Sequence, residues 1–125
     1  MSMKRDFELI RKILFFFEEK VDSSVVETVQ IDGYEDNFVG YHSRLLYDAG
    51  FLRCESVRSS TSSDRVIRVL PFELTWDGHE FLDKIRSESR WNKIKEYSKE
   101  NGLALSFNVV NELAKKLIFN AISGA

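Results

Sequence analysis

The chain has 125 residues, 43% hydrophobic and 30% charged, with 10 Phe, 4 Tyr and 2 Trp. That is enough apolar mass for one folded domain with a short appendage, and it argues against a wholly disordered chain. A net charge of −2 gives no global attraction to nucleic acid or anionic lipid. With Cys54 as the single cysteine an intramolecular disulfide is impossible, and two histidines plus that thiol are too few for a tetrahedral zinc site.

The first segment reads as a helix over Lys4 to Lys20. Phe7, Ile10, Leu14, Phe17 and Val21 recur at spacings of three and four, and Ile13 widens that face. Phe15 falls near the polar side, so it is either covered by a later segment or exposed at a partner surface. After a break at Asp22-Ser23-Ser24, the β-branched Val25, Val26, Val29 and Ile31 predict a short strand. Asp32-Gly33 predicts a turn. A second helix follows over Glu35 to Asp48, with Val39, His42, Leu45, Leu46 and Ala49 inward. Asp36 serves as N-cap or first-turn anion, and Gly50 stops the helix.

Phe51 to Arg58 and Arg65 to Leu70 read as the two strands of a hairpin, joined by the polar tip Ser59 to Asp64. Pro71 is expected to end ladder bonding. Thr75 is placed to cap a third helix with Asp77 in its first turn, Phe81, Leu82 and Ile85 on its buried face, and Gly78 permitting close packing on the sheet. A joint at Ser87 to Ser89 precedes a short helix bearing Trp91, Ile94 and Tyr97, closed by Asn101-Gly102. Ser106 caps a last helix over Phe107 to Ile122. Its stripe is Val110, Leu113, Ala114, Leu117, Ile118 and Ala121, with Glu112 and Lys116 as an i, i+4 pair.

The order helix, strand, helix, hairpin, helix, with Leu45-Leu46-x-x-Ala49-Gly50-Phe51-Leu52 before the hairpin and Leu74-Thr75-x-x-Gly78-x-x-x-Leu82 after it, resembles the winged-helix group. There the helix before the hairpin is the recognition helix and the hairpin is the wing. The fold expected is α+β. A winged-helix-like domain spans 3–86, and a C-terminal helical extension over 87–125 packs on it or on a partner subunit.

Further motifs carry a closer resemblance. They are Met3-Lys4-Arg5-Asp6-Phe7-Glu8-Leu9-Ile10-Arg11-Lys12-Ile13-Leu14, Val39-x-Tyr41-His42-x-x-Leu45-Leu46-x-x-Ala49-Gly50, and Leu74-Thr75-Trp76-Asp77-Gly78-His79-Glu80-Phe81-Leu82-Asp83 with Trp91-Asn92-Lys93 after it. Together they resemble the bacterial and phage-associated family of uncharacterised proteins called domain of unknown function 2513, from Met3 to the final helix. The resemblance implies a phage or prophage neighbourhood and a winged-helix-like fold, and transfers no activity. The strand-like stretch between Val21 and Gly33 departs from a standard helix-turn-helix.

Charge along the chain decides how such a fold would meet DNA. The recognition helix carries Glu35, Asp36 and Asp48 against Arg44 alone. Around the wing the sign reverses, with Arg53, Arg58, Arg65 and Arg68 against Glu55 and Asp64. Lys84 to Lys99 is also basic. Phosphate contacts need such cations, and Asn and Arg are common base readers. A wing-led contact through Arg58, Arg65 and Arg68, with Asn37, Ser43 and Arg44 as possible base readers, is therefore the expected mode. A protein-interaction module without DNA contact is the alternative, with Phe15, Trp91, Tyr97, Leu117 and Phe119 as its partner surface. A homodimer would suit a reader of paired half-sites.

Catalysis is not expected. His42 reads as a core histidine, His79 lacks a nucleophile at useful spacing, and Cys54 reads as a small buried residue in a strand. No metal, cofactor or small-molecule substrate is implied. No apolar run reaches the ~20 residues that span a bilayer and no secretion signal is visible, so a cytoplasmic location is expected.

Overall fold

Asp6 starts the first helix. In the computed structural model, which describes residues 3–62 and 65–124, its Oδ1 accepts the Leu9 N–H at 3.1 Å. Helix α1 then runs Phe7–Glu18 and buries Phe7, Leu9, Ile10, Ile13, Leu14 and Phe17. Leu9 joins the face read from the sequence, but Val21 does not. The helix has ended before it, and Val21 is 98% exposed.

The strand predicted over Val25 to Ile31 is absent. The segment is irregular, with a bend at Glu27-Thr28, and it touches the hairpin at a few points. The Val26 N–H donates to the Pro71 carbonyl at 2.8 Å, and Arg68 Nη2 donates to the Glu27 carbonyl at 2.6 Å. Pro71 has no N–H to return, so a ladder cannot propagate through this edge. β-Branching had suggested a strand, but without a partner edge it does not make one. The turn at Asp32-Gly33 forms as expected, with Gly33 at φ +86 and the Tyr34 N–H donating to the Ile31 carbonyl.

Helix α2 spans Asp36–Asp48, with Glu35 at its N-cap and Asp36 in its first turn. Val39, His42, Ser43 and Leu46 are buried. Leu45 is only half-buried, and Ala49, expected inward, is exposed because it is the C-cap. Gly50 adopts φ +83, the Phe51 N–H reaches the Leu46 carbonyl, and the Gly50 N–H reaches that of Tyr47. This is a Schellman closure, which turns the chain directly into the hairpin.

Strands β1 (Leu52–Arg58) and β2 (Val66–Leu74) pair antiparallel, from Leu52 opposite Leu74 to Arg58 opposite Val66. Pro71 does not end the ladder as expected. It pairs with Cys54, and the strand continues to Leu74. Two irregularities in register, between Arg53 and Cys54 and between Val57 and Arg58, leave Phe72 and Ile67 without opposite partners. Such bulges are where a strand tolerates proline. The described part of the tip is tied by Ser59, whose N–H donates to the Arg65 carbonyl and whose Oγ accepts from the Thr61 and Ser62 N–H groups. Ser63 and Asp64 of the predicted tip lie outside the described residues.

Helix α3 (Trp76–Ile85) begins where Thr75 was expected to cap it. Thr75 Oγ1 accepts the Gly78 N–H at 3.0 Å and donates to the Gly50 carbonyl at 2.5 Å, while its own N–H donates to the Phe51 carbonyl. Gly78 fulfils its predicted role. A Cβ there would collide with the Phe51 carbonyl oxygen.

The chain divides into two compact units, one up to His79 and the other from Glu80 onward, so the boundary falls inside α3 rather than after Arg86. In the first unit α1 and α2 pack on each other and on the hairpin. In the second, α4 (Glu88–Glu100) packs with α5 (Phe107–Ile122). Ser87 and Ser106 cap these helices by accepting from the Arg90 and Val109 N–H groups. Phe81 meets Phe107 edge-on at 4.9 Å, and Trp91, Ile94, Val110 and Ala114 are fully buried. The α5 stripe is thus buried at Val110 and Ala114 and exposed at Ala121. Lys115, rather than Lys116, pairs with Glu112, at 3.6 Å. No helix among the described residues is long and apolar enough to cross a membrane.

Candidate functional site

The outer face of α2 and the hairpin together build a cleft. Its volume is about 610 Å³, within the range of ligand-sized pockets. One wall is α2, through Asn37, Gly40, Tyr41 and Arg44. β2 lines the cleft through Ile67, Arg68 and Val69, as does the irregular segment Glu27 to Val29. The cleft thus brings together Asn37, Arg44 and Arg68, which are separated in sequence and were each expected to contact DNA.

Their environments differ. Asn37 is exposed at the start of α2, and Arg44 is half-buried with its guanidinium 5.5 Å from the Tyr41 ring centroid. Arg68 is exposed but already donates to the Glu27 carbonyl. Asp36 and Glu27 bring carboxylates to the same cleft, so its charge is mixed. Asp36 and Asp48 stand at the two ends of α2, and the exposed stripe between them carries none. The α2 deficit read from the sequence is therefore carried at the helix termini.

Ser43 is corrected. It borders the cleft, but it is 2% exposed and its Oγ donates to the Val39 carbonyl at 3.0 Å, so its hydroxyl is already used within α2. Arg58 and Arg65 lie outside the cleft lining, exposed toward the hairpin tip. Arg53 is paired with Glu73 at 3.0 Å. Tyr41 and Gly40 were missed by the sequence reading. Their spacing from Asn37 and Arg44, three and four residues along one helical face, was the available signal.

The basic stretch Lys84 to Lys99 is largely spent on the second unit's own structure. Arg86 pairs with Asp83 at 2.8 Å, and Arg90 donates to the Asp83 and Lys84 carbonyls at the end of α3. Lys84 donates to Asn111 Oδ1, and Lys95 sits 5.6 Å from the Trp91 ring centroid. Of the expected partner surface, Trp91 is corrected: it is fully buried and cannot anchor a partner. Phe15 is half-buried beneath Arg11, whose guanidinium lies 4.9 Å from its ring, and Leu117 is half-buried. Tyr97 and Phe119 are exposed.

His42 is structural in its contacts. Nε2 accepts the Asp6 N–H at 2.8 Å, so the ring proton sits on Nδ1, which donates to the Phe38 carbonyl at 2.9 Å. This ties the start of α1 to α2. Tyr34 stacks on Phe38, and its phenol is pushed up by burial and then by the charges of Asp6 and Glu8. Cys54 is half-buried, and burial pushes its thiol up to about 12, so it stays protonated at neutral pH. His79 is exposed on α3. No group of His, Cys, Asp and Glu among the described residues is arranged to hold a metal ion.

These features define an α+β protein of five helices and one two-stranded antiparallel hairpin among the described residues, with a mixed-charge cleft beside the hairpin. The chain belongs to the family described as hypothetical protein (DUF2513), whose model matches residues 4–104. The match runs from the start of the chain to just before α5, the extent read from the motifs. An uncharacterized protein of Haemophilus influenzae (strain ATCC 51907 / DSM 11121 / KW20 / Rd) is 33% identical over 117 residues, covering 93% of this chain and 96% of that protein. No solved structure matches the chain.

Proposed function

We propose that the protein is a small cytoplasmic DNA-binding regulator of winged-helix-like build. It meets double-stranded DNA through the β1–β2 hairpin, in the phage or prophage setting that the family resemblance implies. The observation that carries this reading is the convergence of Asn37, Arg44 and Arg68 on one cleft, next to a hairpin end that exposes Arg58 and Arg65. Arg58 and Arg65 supply phosphate contacts. Asn37 and Arg44 offer the donor and acceptor groups that read base edges.

The test is a duplex titration of the Arg58→Ala/Arg65→Ala variant. Arg68 is left in place because its bond to Glu27 also holds the 25–31 segment. Affinity should fall, and the slope of log affinity against log salt should shrink by roughly one for each phosphate contact removed. Unchanged affinity and slope would refute the wing assignment.

A second reading has its own observation. Phe119 and Ile122 are 69% and 80% exposed on α5, an apolar end suited to a protein partner or a second copy of the chain. On that reading the fold is an interaction module without DNA contact, and the protein binds no duplex even at low salt.

A further inference from the structure

A two-stranded hairpin leaves one outer edge on each strand, and here the two edges differ. On β2 the Val26 N–H donates to the Pro71 carbonyl, so the 25–31 segment bonds to that edge. The same bond fixes the orientation of the ladder. A residue's N–H and C=O point to one side of a strand, so Pro71, whose carbonyl meets Val26, turns its backbone away from β1. Cys54 stands opposite Pro71, and Ser56 stands two residues on, opposite Val69. Both therefore turn their N–H and C=O groups outward, and Leu52 does so by alternation. The Phe51 carbonyl points the other way, to the Thr75 N–H, in step with that alternation. Both irregularities of register put the extra residue on β2, so β1 itself runs regularly from Leu52 to Arg58. Among the described residues, no backbone group from outside the hairpin bonds to Leu52, Cys54 or Ser56. Such an edge is a template for another strand.

We infer that the outer edge of β1 pairs with the same edge of a second copy of this chain, antiparallel about a two-fold axis at Cys54, with Arg53 of each copy opposite Glu55 of the other. Charge selects both the occupant and the register. An axis at Arg53 or at Glu55 sets that residue against itself, and an axis at Ser56 sets Glu55 against Val57. Only the axis at Cys54 gives an opposite-charge pair on each side of it. Glu55 is exposed and has no ion pair among the described residues. Arg53 is exposed and bonds Glu73 across the hairpin at 3.0 Å. A second copy's Glu55 completes a row in which that guanidinium lies between two carboxylates. Backbone bonds through Leu52, Cys54 and Ser56 supply the affinity. The exposed ion pairs add little to it and fix the register. The pairing is independent of DNA contact, because Arg58 and Arg65 lie beyond the paired stretch.

Sedimentation velocity of the full chain over a rising concentration series, at low and at high salt, tests the pairing. The parent should pass from monomer to dimer through the micromolar range, as suits a small interface, and salt should weaken the dimer. Ser56→Pro removes one outward N–H from each copy. Proline is tolerated where the lost N–H faces away from the ladder, as at Pro71 on β2. The dissociation constant should rise roughly tenfold or more, since two hydrogen bonds are lost per dimer. Glu55→Lys sets lysine against arginine on both sides of the axis. Its dimer should be weaker than the parent's, and salt should strengthen it by screening the repulsion. The unfolding midpoint of Glu55→Lys in dilute solution should stay near the parent's, because Glu55 has no ion pair to lose.

Two results overturn the inference. A parent that stays monomeric up to millimolar concentration leaves the β1 edge unpaired. A parent dimer whose strength and salt response are unchanged in both variants places the interface elsewhere, with the exposed apolar end of α5 as the remaining surface. If Ser56→Pro does not fold, Glu55→Lys decides through the sign of its salt response.

Discussion

Two glycines lie within helices of the first unit, and alanine should act on them in opposite directions. At Gly40 the substitution adds a methyl group to open space in the interior of α2. The expected gain is the intrinsic helix preference of alanine, about 0.5–1 kcal/mol, part of it from a less flexible unfolded chain. At Gly78, in the first turn of α3, the same atom would overlap the Phe51 carbonyl oxygen, which already accepts the Thr75 N–H at 3.1 Å. That oxygen belongs to backbone fixed by the Schellman closure before it and by β1 after it, so it cannot swing aside as a side chain could. Relieving the overlap means moving α3 off the hairpin. Overpacking of this kind costs about 1–3 kcal/mol, more than the propensity gain. The propensity gain is common to both, so the two variants should separate by the overpacking cost, about 1–3 kcal/mol, with the parent between them. Urea unfolding followed by far-ultraviolet circular dichroism measures both, and equal m-values would keep the comparison clean. A stable Gly78→Ala variant would refute the close packing of α3 on Phe51. A destabilised Gly40→Ala variant would refute the open space above α2.

Other outcomes follow from single contacts. His42→Leu keeps an apolar fill but removes the acceptor of the Asp6 N–H, and should destabilise by about 1–3 kcal/mol in the same urea assay; an unchanged midpoint would show that this bond does not hold α1 to α2. Ser98 is buried with no partner for its Oγ, so Ser98→Ala should leave stability unchanged or raise it by about 1 kcal/mol, whereas a loss would reveal a missed partner. Cys54 should resist iodoacetamide at pH 8 in the folded protein and react readily in urea, because burial raises the thiol from its usual 9.0 to about 12. The sign follows: a raised folded value stabilises the native state below the unfolded thiol's pKa, and the contribution is lost as pH climbs from about 9 to about 12. Rapid labelling of the native chain at pH 8 would contradict this environment.

Elements whose cause is local were legible in the sequence. Thr75, Ser106 and Gly50 each act through neighbours a few residues away, and each caps or closes the helix expected of it. The faces of α1 and α2 followed from spacing, apart from Leu9 and Ser43, which are buried, Leu45, which is only half-buried, and the positions beyond the helix ends. What depends on distant partners was not legible. A strand over Val25 to Ile31 needs an edge to pair with, and that edge is interrupted by Pro71. Whether Trp91 faces solvent depends on how α4 packs, and the packing buries it completely. At the candidate site, residue types pointed to Asn37, Arg44 and Arg68, which the cleft unites. Ser43 failed because three-dimensional burial, not residue type, decides whether a hydroxyl can be read. Charge counts along the chain also misled over Lys84 to Lys99, where several cations cap or bridge structure in the second unit.

Phosphate contacts led by the hairpin, as proposed above, leave a direct signature in how duplex binding responds to salt. Fluorescence anisotropy of a labelled mixed-sequence duplex, titrated with the full chain at low and then physiological salt, tests it most directly. Hairpin-led contact should give saturable binding at low salt that weakens steeply as salt rises, as counterions are released. Absence of binding at low salt, or binding indifferent to salt, would contradict it.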